Sequence, residues 1–269
     1  MNGSILLNTP QGLAPSLLAT NSLPTNLLPT KSAQSLKVGG ISPFSASDFP
    51  GKLAAVLFVQ GCPWRCGYCH NPHLQERTTH SPITWDSVIA LLKRRVGLLD
   101  GVVFSGGEPT MDGALIAAMQ EVRTMGFAIG LHTACIYPRQ LRAVLPLVDW
   151  VGFDVKDDFG NQADSYAAIT GIAGTGNTVQ ACVEMILQSG CAYECRTTIH
   201  PGLHSPAQIL ALAHKLAAMG VTHYALQVFR EQGCGNSTLA ASNLAGFPAQ
   251  DTVQQIAPLF KQFTLRQSS

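Results

Sequence analysis

The sequence predicts an α/β fold, a partial (β/α)6 TIM-type barrel with parallel strands that is open laterally. Three observations predict it. Short β-branched or apolar runs alternate with longer amphipathic stretches, and strands each followed by a helix assemble into a parallel sheet with right-handed crossovers. Two of the runs place polar side chains at every second position, which suits a polar lumen better than a surface covered by helices. The chain of 269 residues, 46% of them hydrophobic, is long enough to bury a substantial core.

Residues 1–35 mix Leu, Pro, Ser, Thr and Asn without helical or strand periodicity, so they read as a flexible tail ahead of one domain spanning 36–269. Candidate strands are residues 53–60, 101–105, 127–133, 150–156, 192–200 and 223–229. Between the second and third, Leu115, Ala118, Met119, Val122 and Met125 share one helical face, with Gly126 closing the helix. After the fifth, Ser205 reads as an N-cap, Pro206 as the first helical residue and Gln208 as the partner in a capping box. On 192–200, Glu194, Arg196, Thr198 and His200 alternate with Tyr193, Cys195, Thr197 and Ile199. On 150–156, Asp154 and Lys156 lie opposite Val151, Phe153 and Val155.

Charged residues make up 12% of the chain and the net charge is +1, so no global field favours nucleic acid or an anionic membrane, and neither is expected as a partner. No stretch approaches the ~18 uninterrupted apolar residues of a membrane span. No basic residue precedes Lys31, which argues against a secretory signal. The eight cysteines are therefore expected to be the reduced thiols of a cytoplasmic protein, available for metal or redox chemistry.

The connection after the first strand runs about 40 residues, far longer than usual in such units, and long loops are usually functional. It opens Gln60-Gly61-Cys62-Pro63-Trp64-Arg65-Cys66-Gly67-Tyr68-Cys69-His70-Asn71-Pro72. Three thiolates spaced C-x3-C-x2-C can ligate three irons of a cubane cluster and leave the fourth without a protein ligand; an open position of that kind makes a metal centre catalytic. Other readings of these residues exist. Cys66 to His70 spells C-x-x-C-H, the c-type haem attachment signature, though that chemistry goes with export. Structural zinc needs a fourth ligand, which His70 or His73 could supply. A redox dithiol of Cys66 and Cys69 leaves Cys62 unexplained. The next strand, Val102-Val103-Phe104-Ser105-Gly106-Gly107-Glu108-Pro109-Thr110, runs into a double glycine, a carboxylate and a proline. Alone this is a tight-turn signal. Paired with the cysteine loop on the preceding strand, it is specific.

With these two motifs the chain resembles the radical S-adenosylmethionine superfamily. The resemblance implies one 4Fe–4S cluster held by Cys62, Cys66 and Cys69, with the amino and carboxylate groups of S-adenosylmethionine on its open iron. It also implies that Tyr68 lies near the adenine and that Gly106, Gly107 and Glu108 contact the methionine amino group. A finer resemblance covers roughly residues 40 to 235. Asp48-Phe49-Pro50-Gly51-Lys52, then FVQGCPWRCGYCHNP, is similar to the activating proteins of anaerobic ribonucleoside-triphosphate reductases and to pyruvate formate-lyase activating enzymes. It implies that Asp154, Lys156 and Arg196 lie by the cofactor; His200, on the same strand face as Arg196, is added as a candidate. Where a relative carries an aspartate associated with a cation site, this chain has His132, and that site is not carried over.

The implied reaction begins with one electron from a donor such as flavodoxin or ferredoxin. S-adenosylmethionine is cleaved to methionine and a 5′-deoxyadenosyl radical, which takes a hydrogen atom from a glycine of a partner glycyl-radical enzyme, an anaerobic ribonucleotide reductase. A radical enzyme acting on a small molecule or another peptide is the alternative. Outside the motifs, Cys182 shares a helix face with Val179 and Ile186 and reads as a small core residue. Cys135, Cys182, Cys191, Cys195 and Cys234 form no second C-x2-C pair; Cys191 and Cys195 could join Cys234 on an auxiliary cluster, though with only three cysteines, and Trp64, Trp85 and Trp150 read as packing anchors.

Overall fold

The structure, a computed structural model, describes residues 31–159, 163–240 and 243–267. One eight-stranded sheet organises it: β1 Val38–Ser45, β2 Ala54–Val59, β3 Gly101–Gly106, β4 Ala128–Thr133, β5 Trp150–Asp154, β6 Ala192–Ile199, β7 His223–Val228 and β8 Gln262–Arg266. The strands lie side by side in chain order. β1 runs antiparallel to β2, and every later pair is parallel. Among the described residues β1 and β8 do not pair, so the sheet stays open between its two edge strands.

Helices cover the outside: α1 Trp85–Lys93, α2 Leu115–Thr124, α3 Pro138–Val144, α4 Ala163–Thr170, α5 Gly176–Ser189, α6 Pro206–Ala218, α7 Ser237–Ala240 and α8 Gln250–Ile256. α2 buries Leu115, Ala118, Met119 and Val122, the stripe its spacing predicts. The reciprocal Ser205–Gln208 capping box is formed at the start of α6, with Pro206 in its first turn.

The six expected strands are β2 to β7. The structure adds β1 and β8, which flank them. The expected tail lies, for residues 1–30, outside the described residues. Its last part is packed: Ala33–Ser35 form a 3-10 turn, and Ala33 is buried in the main core.

The two faces of the sheet have different jobs. Outward, Leu57, Phe104, Leu131, Phe153 and Ile199 pack with the helices in one large core. Inward, Phe49, Val56, Val103 and Trp150 form a separate apolar cluster, with the Phe49 and Trp150 rings stacked at 5.8 Å. This plug fills the lumen at the N-terminal half of the strands. The polar residues therefore collect at the C-terminal half, where the connecting loops meet.

Candidate active site

At that end a cavity of about 260 Å³ is lined by Cys62, Cys66 and Cys69, by Tyr68, Gly106 and Gly107, and by Asp154, Lys156 and Arg196. Expected site residues far apart in sequence thus share one wall. Ser105, His132, Thr198 and Gln227 line it too, from the same inward face of β3, β4, β6 and β7. Gln227 shares a strand face with His223 and Ala225, so period-two reading of β7 could have found it.

The cysteine loop is fixed by its backbone. Gly61 N–H donates to the Leu74 carbonyl (2.8 Å) and Cys62 N–H to that of Gln75 (3.0 Å). Arg65 N–H donates to the Thr170 carbonyl (2.8 Å) and Gly67 N–H to that of Ile169 (3.2 Å), which ties the loop to the end of α4. From the other side His70 Nε2 donates to the Arg230 carbonyl (3.0 Å), and its ring stacks on Phe229 at 5.9 Å. That bond and the stacking fix the orientation of the His70 ring at the cavity wall. All three thiols are half-buried and free of disulfides. Burial pushes Cys62 up to about 12, so binding a metal there must displace a proton. Among the described residues no three His, Cys, Asp or Glu side chains are arranged to hold a single metal ion. A cubane makes a different demand, because each thiolate takes its own iron. The donor set fits that group.

Gly106 and Gly107 make close approach possible. Gly106 has φ +118°, and a Cβ there would lie 2.4 Å from the Val59 nitrogen; one on Gly107 would lie 2.3 Å from the Gly61 oxygen. With no side chain in the way, Gly107 N–H reaches the Val59 carbonyl (2.9 Å) and Glu108 N–H that of Gly61 (2.8 Å). The double glycine is thereby stapled to the root of the cysteine loop.

Two expected side chains stand elsewhere. Glu108 is fully buried and does not line the cavity. Its Oε1 accepts from the Thr110 N–H and the Thr110 and Thr133 hydroxyls, and Oε2 from the Ala134 N–H at 2.8 Å. Every oxygen is thus committed to shaping the loops after β3 and β4, leaving only the glycine backbone facing the cavity. His200 is also buried and outside the cavity wall. Its Nδ1 accepts from Gly202 N–H (2.9 Å), its Nε2 donates to the Leu239 carbonyl (3.1 Å), and its ring meets Phe229 edge-on at 5.0 Å. It is a turn-forming residue.

The charges of the cavity come in sets. Lys156 Nζ lies 3.1 Å from Asp154 Oδ2. It also stands 5.4 Å from the centre of the Tyr68 ring and 5.9 Å from that of Trp64. Burial works against the ammonium, but Asp154, Tyr68 and Cys66 outweigh it and hold its pKa well above the usual lysine value. Lys156 is seated through its backbone as well: its N–H donates to the Tyr166 hydroxyl (3.0 Å), and its carbonyl accepts from His204 Nε2 (2.9 Å). Arg196 lies 5.1 Å over Trp150 in cation–π contact. Burial and the neighbouring Arg196 bring His132 down to about 4; it is a neutral imidazole near pH 7, accepting from Ser105 Oγ on Nδ1 and donating from Nε2 to the Asp48 carbonyl. The Tyr68 hydroxyl is buried beside the Lys156 ammonium.

Of the remaining cysteines, Cys135 is buried in the core beside Cys182. Cys182 and Cys195 are buried in the core, the half-buried Cys191 thiol donates to the Val148 carbonyl (3.3 Å), and Cys234 contacts the Gly67 carbonyl (3.5 Å). Trp64 and Trp85 are packing residues, Trp85 with its indole N–H on Glu121 (2.7 Å).

Comparison with known proteins bears on this geometry. The family model of the radical SAM superfamily matches residues 56–216. A protein of Methanocaldococcus jannaschii assigned to the glycyl-radical enzyme activating enzymes is 28% identical over 201 residues, covering 71% of this chain and 79% of its own. The pyruvate formate-lyase-activating enzyme of Clostridium pasteurianum is 31% identical over 142 residues, 50% of this chain and 57% of its own. Among solved structures, SuiB of Streptococcus suis bound to S-adenosylmethionine superposes with a TM-score of 0.60 at 12% identity, over 77% of this chain and 48% of that one. The chain thus spans about half the length of SuiB, and that likeness is one of fold.

Proposed function

The chain belongs to the radical S-adenosylmethionine superfamily, and from that premise we propose that it is an activating enzyme generating a glycyl radical on an anaerobic ribonucleoside-triphosphate reductase. As a member it is an enzyme whose cofactors are a 4Fe–4S cluster and S-adenosylmethionine. The glycyl-radical part of this reading is supported by similarity, over 71% and 50% of the chain, to two relatives named for activating glycyl-radical enzymes or pyruvate formate-lyase; the reductase as partner rests on the resemblance of Asp48–Lys52 and the cysteine loop.

In this reading Cys62, Cys66 and Cys69 hold the cluster. Gly106 and Gly107 offer backbone carbonyls to the methionine amino group, whose N–H donors need acceptors. Asp154, Lys156 and Arg196 bind the polar groups of the cofactor, and Tyr68 lies against its adenine. When bound and reduced by one electron, the pair supplies a 5′-deoxyadenosyl radical that removes a hydrogen atom from a glycine Cα of the partner. The protein contributes placement and exclusion of water: Trp64 and Tyr68 wall the cavity with buried aromatic surface. The lateral opening between β1 and β8 supports entry of a backbone segment. The electron comes from a flavodoxin- or ferredoxin-type donor.

The test is anaerobic incubation of the reduced enzyme and S-adenosylmethionine with the reductase, read by electron paramagnetic resonance. A doublet near the free-electron value that collapses when the partner's glycine is α-deuterated is expected. No radical on any glycyl-radical enzyme, together with turnover of a small molecule, would assign the chain to small-molecule radical chemistry instead.

A further inference from the structure

Next to the cofactor cavity lies a second one, of about 330 Å³, which shares His70, Arg196, Thr198 and Gln227 with it. Its other walls include Asp48, from the turn between β1 and β2, Arg230, just after β7, and Arg266 at the end of β8. It therefore sits where the sheet fails to close, between the cofactor cavity and the lateral opening.

Its charges do not balance. Arg196, Arg230 and Arg266 contribute three guanidinium groups to the wall. Glu194, underneath, serves two of them at once: its Oε1 accepts from Arg196 Nε (2.7 Å) and Arg266 Nη1 (2.8 Å), and its Oε2 from Arg266 Nη2 (2.9 Å). The other carboxylate, Asp48, accepts from the Ser45 hydroxyl at 2.5 Å. Arg230 is exposed, and among the described residues its guanidinium forms no hydrogen bond and no ion pair. Three cations face two anions, and the one without a partner is Arg230. A guanidinium pairs with a carboxylate through two parallel N–H···O bonds. The neutral part of the wall, Ser47, Thr198, Gln227 and Gln267, offers donors and acceptors matched to peptide groups.

We infer that this second cavity is the substrate subsite, and that it takes a glycine-bearing polypeptide segment by pairing a carboxylate of that segment with Arg230. The inference rests on the glycyl-radical reading above and adds the chemistry by which the segment is recognised.

The probes are short fluorescein-labelled peptides centred on glycine, alike except for Glu, Gln or Lys two residues away, titrated by anisotropy into the reconstituted enzyme with S-adenosylmethionine. The Glu peptide should bind about two- to fivefold more tightly than the Gln peptide, the range of one exposed ion pair. Arg230→Gln should abolish that preference, and Arg230→Glu should reverse it toward Lys. Equal affinities for the wild type, or a preference that survives Arg230→Gln, would overturn the subsite. Displacement by glutarate at equal concentration would give it to a small acid and overturn the peptide assignment. The underlying reading is scored separately, by deuterium transfer from α-deuterated glycine into 5′-deoxyadenosine. Transfer without a Glu preference leaves the glycyl reading standing and removes the subsite; a Glu preference without transfer does the reverse.

Discussion

Arg196 and Arg266 share one oxygen of Glu194, at 2.7 and 2.8 Å, so a single carboxylate joins the cofactor wall on β6 to the edge strand β8. The Glu194 side chain is only 12% exposed, and removing its charge leaves two guanidinium groups facing each other. Glu194→Gln should lower stability by about 2 kcal/mol, some 4–8 °C in Tm for a chain of this size, and weaken S-adenosylmethionine binding measured by calorimetry.

The same carboxylate gives a pH signature. Burial alone would raise the Glu194 carboxyl, but bonds from Arg266 and Arg196 overcome it and hold the group below its ordinary value. A carboxyl depressed in the folded state contributes stability that is complete above its unfolded pKa, about 4.3, and is lost as pH falls from there through the folded value. Denaturant midpoints measured down this acid range should fall less steeply for Glu194→Gln than for the wild type.

Gly106→Ala and Gly107→Ala should each cost at least about 2 kcal/mol, because the added Cβ meets backbone atoms of Val59 and Gly61 that cannot swing aside. Gly126→Ala is the control. It shares a positive φ with Gly106 but has nothing within 4 Å of its Cβ, so about 1 kcal/mol is expected. Thermal melts of the three variants separate close approach from backbone strain.

What could be read from the sequence, and what could not, follows from physical range. Strands β2 to β7 announce themselves because they carry short apolar runs, as in β2 and β3, or period-two alternation, as in β6. β1 does not: VGGISPFS carries two glycines and a proline, poor strand formers that an edge strand tolerates. β8 is a five-residue edge strand, half-exposed, and with it Arg266 escapes notice. The cysteine and double-glycine motifs are local and legible. The inward turn of the Glu108 carboxylate depends on Thr133 and Ala134, brought near only by folding. His200 misleads because β6 ends at Ile199: the chain turns at His200, whose carbonyl accepts from the Leu203 and His204 N–H groups, and the alternation stops.

That distinction is testable. Lys156→Ala and Arg196→Ala should reduce S-adenosylmethionine affinity about ten- to a hundred-fold. His200→Ala should instead lower Tm, since it removes the bonds to Gly202 and Leu239, with cofactor affinity changed less than about threefold. Titration calorimetry on the three variants decides.

The central assignment, a cluster held by Cys62, Cys66 and Cys69 with one iron open, is tested most directly by iron and sulfide content after anaerobic reconstitution. The expected result is about four of each per chain, with the intact cluster abolished by alanine at any of the three positions and unaffected by alanine at Cys182, which is buried in the core. One equivalent of zinc with no iron taken up, or an intact cluster in Cys66→Ala, would contradict it.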